Sequence, residues 1–187
     1  MLFAEQPILT TERLTLRPLQ CADAEDVFEI FSDPEVMRYW SSSPMQGVQD
    51  AVASINRDRD FASEGSSYRW GVVRNEDGKT LGTVTVHQIS EGNRRCELGY
   101  CLGLAHWGRG YMHEALVAMV GMLFATCDLH RIEADIDPRN DNSRRSLERL
   151  GFRHEGTLRE RWIVAGEVSD TGFYGLLRSE WDAIDAH

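Results

Sequence analysis

The sequence has a single lysine, Lys79, among its twenty basic residues, and it has no long hydrophobic run. A membrane-spanning helix needs about 20 consecutive apolar residues, so no membrane span is predicted. The first residues, MLFAEQPILTTERL, also lack the basic and then apolar segments of a secretory signal peptide. A cytoplasmic location is therefore expected.

Cysteine pairs and an excess of basic residues are absent as well. The four cysteines include no CxxC pair, and none has a histidine at zinc-finger spacing, so we expect free thiols and no metal site. The formal net charge is −10, whereas a surface that binds nucleic acid is usually basic. No nucleic-acid partner is expected, and the negative charge mildly favours a cationic partner such as an amine.

The chain is predicted to form one domain over residues 1–187, since it contains no internal repeat, linker or low-complexity segment. Alternating and apolar runs predict about seven strands, with helices where apolar residues recur at three-four spacing. The predicted strands are Arg13–Leu19, Tyr68–Arg74, Thr80–Ile89, Arg95–Leu102, His130–Asp137, Arg153–Val164 and Thr171–Arg178. The predicted helices run from a cap at Asp23 to Phe31, over 45–62, over 112–124, and from a cap at Asp141 or Asn142 to Leu150. This order indicates an α/β (α+β) fold with a mixed sheet flanked by helices.

The stretch HWGRGYMHEA places two glycines, Gly108 and Gly110, between a strand and an apolar helix. Glycine permits a close backbone approach, and free amides at a helix N-terminus bind anions. Two common phosphate loops do not fit, because a dinucleotide fingerprint would need a glycine at His113 and no GxxxxGK[ST] occurs. Two interpretations remain: a plain strand-to-helix turn, or a pyrophosphate cradle made by the amides of residues 108–112.

The longer stretch GYCLGLAHWGRGYMHEAL resembles the signature loop of the GNAT N-acetyltransferases, and specifically of their RimJ/RimL-like branch. A second block, NDNSRRSLERLGF, is similar to the family's N-x-x-S…L-E-K-L-G-F element. The pieces TERLTLRPL, SDPEVMRYW, EGTLRE and GEVSDTGFYGLLRSEW extend the resemblance from about Ile8 to Trp181. It implies the GNAT fold, with a largely antiparallel sheet, and direct transfer of an acetyl group from acetyl-CoA to an amine.

The resemblance assigns cofactor binding to three places in the chain. The pyrophosphate loop would be formed by Gly108, Arg109, Gly110, Tyr111 and Met112. Met112 replaces the family's usual alanine and is expected to narrow the space beside the phosphates, while Arg109 is either a phosphate partner or a solvated charge.

The backbone near Cys101, Leu102 and Gly103 would bind the pantetheine as an added strand and polarise the thioester carbonyl. Asn140 matches the family's cofactor-binding asparagine, with a helix cap as the alternative.

Ser143 is the residue expected beside the departing thiolate, where it would donate the proton, orient a hydrogen bond or relay a proton from water. Many GNAT enzymes use a tyrosine four residues after this position, but Leu147 stands there in this chain. The RimJ/RimL-like branch has a serine three residues after the asparagine, near the cofactor sulfur, and Ser143 matches it. The alternative is an ordinary serine in the first turn of a helix.

Glu97, in CELGYCL, is the expected general base, acting directly or through water. Burial would raise the pKa of its carboxyl group and suit it to this task. Glu160, in TLRERW, is the second candidate. Either glutamate could instead be a structural ion-pair partner.

Two further groups of residues have open interpretations. Tyr39 and Trp40 lie in a segment that covers the acceptor site in relatives, so they either bind substrate or anchor the loop. Glu133, Asp135 and Asp137 share one strand face, and a solvated or arginine-paired face is favoured over a metal or substrate site.

Three functions are compatible with the sequence. The resemblance favours an enzyme that acetylates the N-terminal α-amine of a protein or peptide. The first alternative is acetylation of a small amine: a polyamine, an amino acid or an aminoglycoside-like compound. The second is a module that binds acyl-CoA without turnover. The expected partners are acetyl-CoA and the amine acceptor; relatives include dimers, although no apolar stripe in this sequence marks an interface.

Overall fold

The computed structural model describes residues 2–185, in which eight strands form one sheet flanked by five helices. The strands are β1 (Leu9–Thr10), β2 (Leu14–Pro18), β3 (Tyr68–Arg74), β4 (Thr80–Ser90), β5 (Arg95–Leu102), β6 (Arg131–Ile136), β7 (Arg153–Val164) and β8 (Glu167–Leu177). The helices are α1 (Ala24–Ser32), α2 (Val48–Glu64), α3 (Tyr111–Thr126), α4 (Asp141–Arg149) and α5 (Arg178–Asp185). The strand order is β1-β2-β3-β4-β5-β6-β8-β7, and among the strands of residues 2–185 only the β5–β6 pair is parallel. The predicted mixed, largely antiparallel sheet is confirmed.

The sequence analysis missed two short elements. β1 has two residues, too few for any alternation to show, so the sheet has eight strands instead of about seven. Helix α5 begins at Arg178, where the last strand was expected to end. β8 begins at Glu167, four residues earlier than predicted, because its exposed polar start pairs with β7 in a hairpin and carries no apolar pattern.

Apolar residues are buried on both faces of the sheet. On one face the predicted stripe of α3 is buried against the strands, and it consists of Met112, Ala115, Leu116, Met119, Val120, Leu123 and Phe124. On the other face α1 and α2 bury a second cluster that includes Val27, Ile30, Ala51 and Ile55. The side chain of Met112 therefore packs into the core, although it also lines a cavity described below.

Asp23 stands at the N-cap of α1 as predicted, but its side chain does not cap the helix, and the predicted cap of α4 is wrong. The Asp23 carboxylate makes no cap hydrogen bond to α1; it pairs with Arg17 at 2.8 Å and accepts the Gln20 amide at 2.7 Å. α4 is capped by Asn140, whose Oδ1 accepts the Ser143 amide at 3.1 Å, and not by Asp141 or Asn142. The cap at Asn140 is the alternative considered for that residue above, whereas the partners of Asp23 are neighbours that a scan for cap residues does not identify.

The sheet splits in its middle, and this split positions the functional site. β5 and β6 pair over three residues only, and the last pair joins Glu97 to Glu133. Beyond that pair β5 continues to Leu102, while β6 continues to Ile136 and pairs with β8. The carboxyl-terminal half of β5 therefore has a free edge toward β6, a place where an extended ligand can add as a strand.

Three other features concern residues 2–185 as a whole. No helix in this range is long and apolar enough to cross a membrane. No three His, Cys, Asp or Glu side chains in the same range form a group able to hold a metal ion. All four cysteines fall in the range, and none of them forms a disulfide.

Candidate active site

Two cavities meet beside the split in the sheet. The acidic cavity has a volume of about 440 Å³ and contains Glu97 and Asp135. The loop cavity has a volume of about 430 Å³ and lies between the end of β5, the double-glycine loop and α4. The residues that line both cavities are Val36, Trp40, Tyr100, Asn140 and Ser143. A ligand in one cavity can therefore reach a ligand in the other.

The double-glycine loop leaves the start of α3 uncapped and facing the loop cavity. Gly108 and Gly110 have φ angles of +72° and +78°, a left-handed conformation that residues with a Cβ rarely adopt. The first bond of the helix runs from the Glu114 amide to the Gly110 carbonyl, and no side chain caps the N-terminus. The amides of Tyr111, Met112 and His113 consequently lack helical partners, and together they can bind an anion.

A clamp that the sequence analysis missed holds this loop in place. The Arg13 Nε donates to Glu114 at 2.6 Å, and its Nη1 donates to the Arg109 carbonyl at 3.0 Å. The Arg13 guanidinium also lies 4.6 Å from the centre of the Tyr111 ring, and Thr11 donates to Glu114 at 2.6 Å. These partners are about a hundred residues apart in sequence, so no local pattern in the sequence predicts the clamp.

The free edge of β5 presents Leu102 to the loop cavity. The Gly103 amide donates to the Leu81 carbonyl at 2.9 Å, and a Cβ at Gly82 would collide with the Cys101 carbonyl, so both groups point toward β4. Because successive residues of a strand alternate in direction, the backbone of Leu102 points to the other side. There its carbonyl accepts the Trp107 indole N–H at 2.7 Å. Of the three residues predicted to bind pantetheine, Cys101 and Leu102 line the loop cavity, and Leu102 is the one whose backbone groups point away from β4.

Tyr100 and Ser143 form a hydrogen-bonded pair where the cavities meet. The Ser143 Oγ donates to the Tyr100 hydroxyl at 2.8 Å, and that hydroxyl donates to the Ser143 carbonyl at 3.1 Å. Burial raises the pKa of Tyr100 above its ordinary value, so the phenol keeps its proton at neutral pH. Sequence reasoning missed Tyr100, because its position in the strand resembles that of a core residue.

Glu97 and Asp135 form a second pair, in the acidic cavity. The Glu97 side chain is only 12% exposed. Burial, the negative charge of Asp135 and a hydrogen bond with Asp135 raise the pKa of Glu97 to about 8. His87 lies 3.7 Å from Glu97, and burial lowers the pKa of this histidine, so it supplies no positive charge at neutral pH. Glu97 is thus a carboxyl group that gains and loses its proton near neutrality.

The other two acids on the face of β6 have different surroundings. Glu133 accepts from Arg95 and from Arg131, at 2.5 and 2.8 Å, and Asp137 pairs with Arg139 at 2.6 Å. The prediction of an arginine-paired face is confirmed for Glu133 and Asp137. The arginine-paired alternative is wrong for Asp135, which is hydrogen-bonded to Glu97 because the start of β5 lies beside β6 at this point.

Similarity to known proteins identifies the family. A family model described as an acetyltransferase (GNAT) domain matches residues 13–153, well over half of the chain. The chain belongs to the GNAT acetyltransferase family. It is therefore an acyltransferase, and the predicted membership and enzyme class are confirmed.

Relatives and solved structures agree with this assignment. The chain is 36% identical to the uncharacterized N-acetyltransferase p20 of Bacillus licheniformis, over 92% of this chain and 97% of the relative. It is 29% identical to the ribosomal protein uS5-alanine N-acetyltransferase of Escherichia coli, over 92% of each chain. A GNAT acetyltransferase structure from Bacillus anthracis superposes with a TM-score of 0.83 at 26% identity, over 93% of this chain and all of that one.

The loop cavity of this GNAT enzyme fits the acetyl-CoA that the family uses. The uncapped α3 N-terminus offers amides to a pyrophosphate, and Leu102 offers the edge of a strand. Arg145 and Arg149 of α4 also line the cavity, and within residues 2–185 neither guanidinium has a carboxylate partner. The sequence analysis did not select these two arginines, because nothing in the sequence separates them from other surface arginines.

Of the remaining predicted residues, some line the two cavities and others lie outside them. Trp40 packs edge-on against Phe31, with ring centres 5.6 Å apart, which supports its role as a loop anchor, and it also lines both cavities. Tyr39 is half-buried in the lining of the acidic cavity. Arg109 and Glu160 are exposed and lie outside the lining of the two cavities.

Proposed function

We propose that this GNAT enzyme acetylates the N-terminal α-amine of a protein or peptide, with Glu97 as the general base. The observation that carries the proposal is the buried Glu97–Asp135 pair in a cavity that opens into the loop cavity. The similarity to an Escherichia coli enzyme named for the N-acetylation of an alanine in ribosomal protein uS5 supports the same acceptor class.

The proton affinity of Glu97 favours an α-amine over a lysine or polyamine. An α-ammonium has a pKa of about 8, close to the value of about 8 for Glu97, so the proton transfer is nearly balanced in free energy. A lysine ammonium, with a pKa of about 10.4, holds its proton more tightly than Glu97 by about 3 kcal/mol. The acidic cavity therefore suits an amine that is already easy to deprotonate.

We assign acetyl-CoA to the loop cavity and the acceptor amine to the acidic cavity. The α3 amides, Leu102 and the two free arginines of α4 would hold acetyl-CoA, which supplies the acetyl group when bound. The acceptor amine would enter the acidic cavity and lose its proton to Glu97. Ser143 and Tyr100, at the meeting point, would hold the proton that the leaving sulfur requires, either by direct donation or through water.

The acceptor class can be tested by measuring CoA release from acetyl-CoA with a panel of amines. The panel contains peptides with different first residues, spermidine, free amino acids and aminoglycosides, and mass spectrometry locates the acetyl group. We expect the highest kcat/KM for a peptide, acetylated at its α-amine. A small amine that exceeds every peptide by tenfold or more would contradict the proposal. Tight CoA binding without turnover on any amine would indicate a non-catalytic module.

A further inference from the structure

The β7 strand carries a bulge beside the acidic cavity. Leu158 pairs with Thr171 and Trp162 pairs with Ser169, so β7 has two more residues than β8 over this interval. Within the bulge Glu160 adopts a left-handed conformation, with φ at +54°, and its amide donates to the Asp170 carboxylate at 2.8 Å. Such a conformation costs about 1 kcal/mol in a residue with a Cβ. Bulges near active sites commonly redirect a side chain, and the one that follows here is Arg161.

Arg161 lies at the open rim of the acidic cavity and rests on aromatic rings. Its guanidinium carbon is 4.8 Å from the centre of the Phe173 ring and 5.7 Å from that of Trp162. Aromatic contacts of this kind hold the flat guanidinium in one orientation and leave its N–H groups available. The charge of Arg161 acts on Glu97, whose pKa it lowers, so the two groups face the same space.

Arg161 differs from the other arginines that line this cavity. Arg139 pairs with Asp137 and Glu167, and Arg38 lies 3.6 Å from Glu35. Arg161 also lines the cavity, but no carboxylate within residues 2–185 forms a salt bridge with its guanidinium, although its charge acts on Glu97 across the cavity. A cation held in place beside a substrate cavity, without a carboxylate in salt-bridge contact, is suited to bind an anionic group of the substrate.

We propose that Arg161 binds a carboxylate of the acceptor, so that the preferred substrate carries an acidic group close to the amine that is acetylated. The inference rests on the proposed function in one respect, namely that the acceptor amine enters the acidic cavity. Two sources share this chemistry: an acidic residue near the N-terminus of a peptide, and the carboxylate of a free amino acid. Of these, the peptide agrees with the acceptor class proposed above.

The test compares acceptors that differ only in an acid or an amide. The first set consists of peptides that begin Ala-Glu or Ala-Gln and Ser-Asp or Ser-Asn; the second consists of free amino acids and their amides. KM and kcat are measured for the wild type, Arg161→Gln, Arg161→Lys and Arg159→Gln. Arg159 is the matched control, because it lies in the same bulge but outside the lining of the acidic cavity.

For the wild type we expect KM to be about tenfold lower with the acid than with the amide, the effect of one charge-assisted hydrogen bond. Arg161→Gln should abolish this ratio with little change in kcat, Arg161→Lys should restore part of it, and Arg159→Gln should retain it. The ratio cancels any effect of the substitution on Glu97, because that effect acts on both acceptors of a pair.

The outcomes separate this inference from the proposed function. Equal KM values for acid and amide in the wild type would overturn the role of Arg161, even if peptides are acetylated. A ratio that survives in Arg161→Gln would overturn it as well. If free amino acids are preferred to their amides and peptides are not acetylated, the role of Arg161 stands and the peptide acceptor is wrong.

Discussion

Glu97 and Glu160 have the same side chain, but their environments differ, and this difference decides how readily each carboxylate accepts a proton. Glu97 is nearly enclosed beside Asp135, which raises its pKa to about 8. Glu160 is exposed on the β7 bulge, where its backbone conformation, and not its carboxylate, carries structural information. A carboxylate with an ordinary pKa is a weak base and removes the proton of an ammonium group only to a small extent. Burial, which raises the pKa, therefore decides which of the two glutamates is the better base.

We expect Glu97→Gln to lower kcat by about 10² to 10⁴-fold, the usual contribution of a general base. The KM for acetyl-CoA should change little, because Glu97 lies outside the lining of the loop cavity. Steady-state kinetics with a peptide acceptor measures both quantities. Glu160→Gln is the control and should retain wild-type kcat. A comparable loss in both variants would contradict the assignment of the base.

Asp135→Asn should move the acidic limb of the pH profile of kcat/KM to lower pH. Burial is the largest cause of the raised pKa of Glu97, and the charge and hydrogen bond of Asp135 are the next. Removing that charge lowers the pKa from about 8, so Glu97 loses its proton at a lower pH. Asp137→Asn, which alters an acid already paired with Arg139, should leave the limb in place. An unmoved limb in Asp135→Asn would refute the coupling of the two acids.

At the scale of elements, the site depends on two irregularities in otherwise regular structure. The β5–β6 pairing stops at Glu97 and Glu133, which leaves Leu102 without a strand partner on this side, although its carbonyl accepts the Trp107 indole N–H. The turn into α3 runs through two left-handed glycines, which leaves the first amides of the helix uncapped. A perfectly paired sheet or a conventionally capped helix would have no free groups at these places to offer a ligand.

Gly110→Ala should weaken CoA binding and lower stability by about 1 kcal/mol, because alanine is strained at a φ of +78°. Isothermal titration with CoA and urea unfolding measure the two effects. Gly92→Ala is a matched control: its Cβ would meet no atom within 4 Å, and Gly92 does not have a positive φ. Equal CoA affinity in Gly110→Ala and the wild type would show that the loop tolerates another conformation.

At the scale of the whole molecule, the protein combines a net charge of −10 with a cavity that fits a polyanion. Exposed charges are screened beyond about 8 Å at physiological salt, so the overall charge matters less than the charges at the cavity. There, within residues 2–185, Arg145 and Arg149 form no salt bridge, whereas Arg144 on the same helix is paired with Asp141 and Glu148.

CoA should raise the melting temperature, because a ligand that binds only the folded state stabilises it, by about 2.7 kcal/mol at a hundredfold excess over Kd. We expect the double variant Arg145→Gln, Arg149→Gln to show a smaller shift at the same CoA concentration. Arg144→Gln should show a shift close to that of the wild type. Differential scanning fluorimetry measures all three proteins. Identical shifts in the double variant and the wild type would exclude these arginines from CoA binding.

Much of this architecture can be predicted from local patterns. The buried stripe of α3, the hairpins that join β3, β4 and β5, and the left-handed Gly151 at the end of α4 follow from residue spacing and turn chemistry. The family follows from ordered motifs over most of the chain, and with it the expectation of acetyl-CoA. These features depend on residues close together in sequence, which is why the sequence alone determined them.

The tertiary structure decided the features that depend on distant neighbours. Asp135 is bonded to Glu97 and not to an arginine, Tyr100 joins Ser143, and Arg13 clamps the loop at Arg109. Each of these contacts joins strands or helices that lie far apart in the chain, and charge, burial and hydrogen bonding act through space. The sequence therefore determined which residues are available for the chemistry, and packing decided which of them meet.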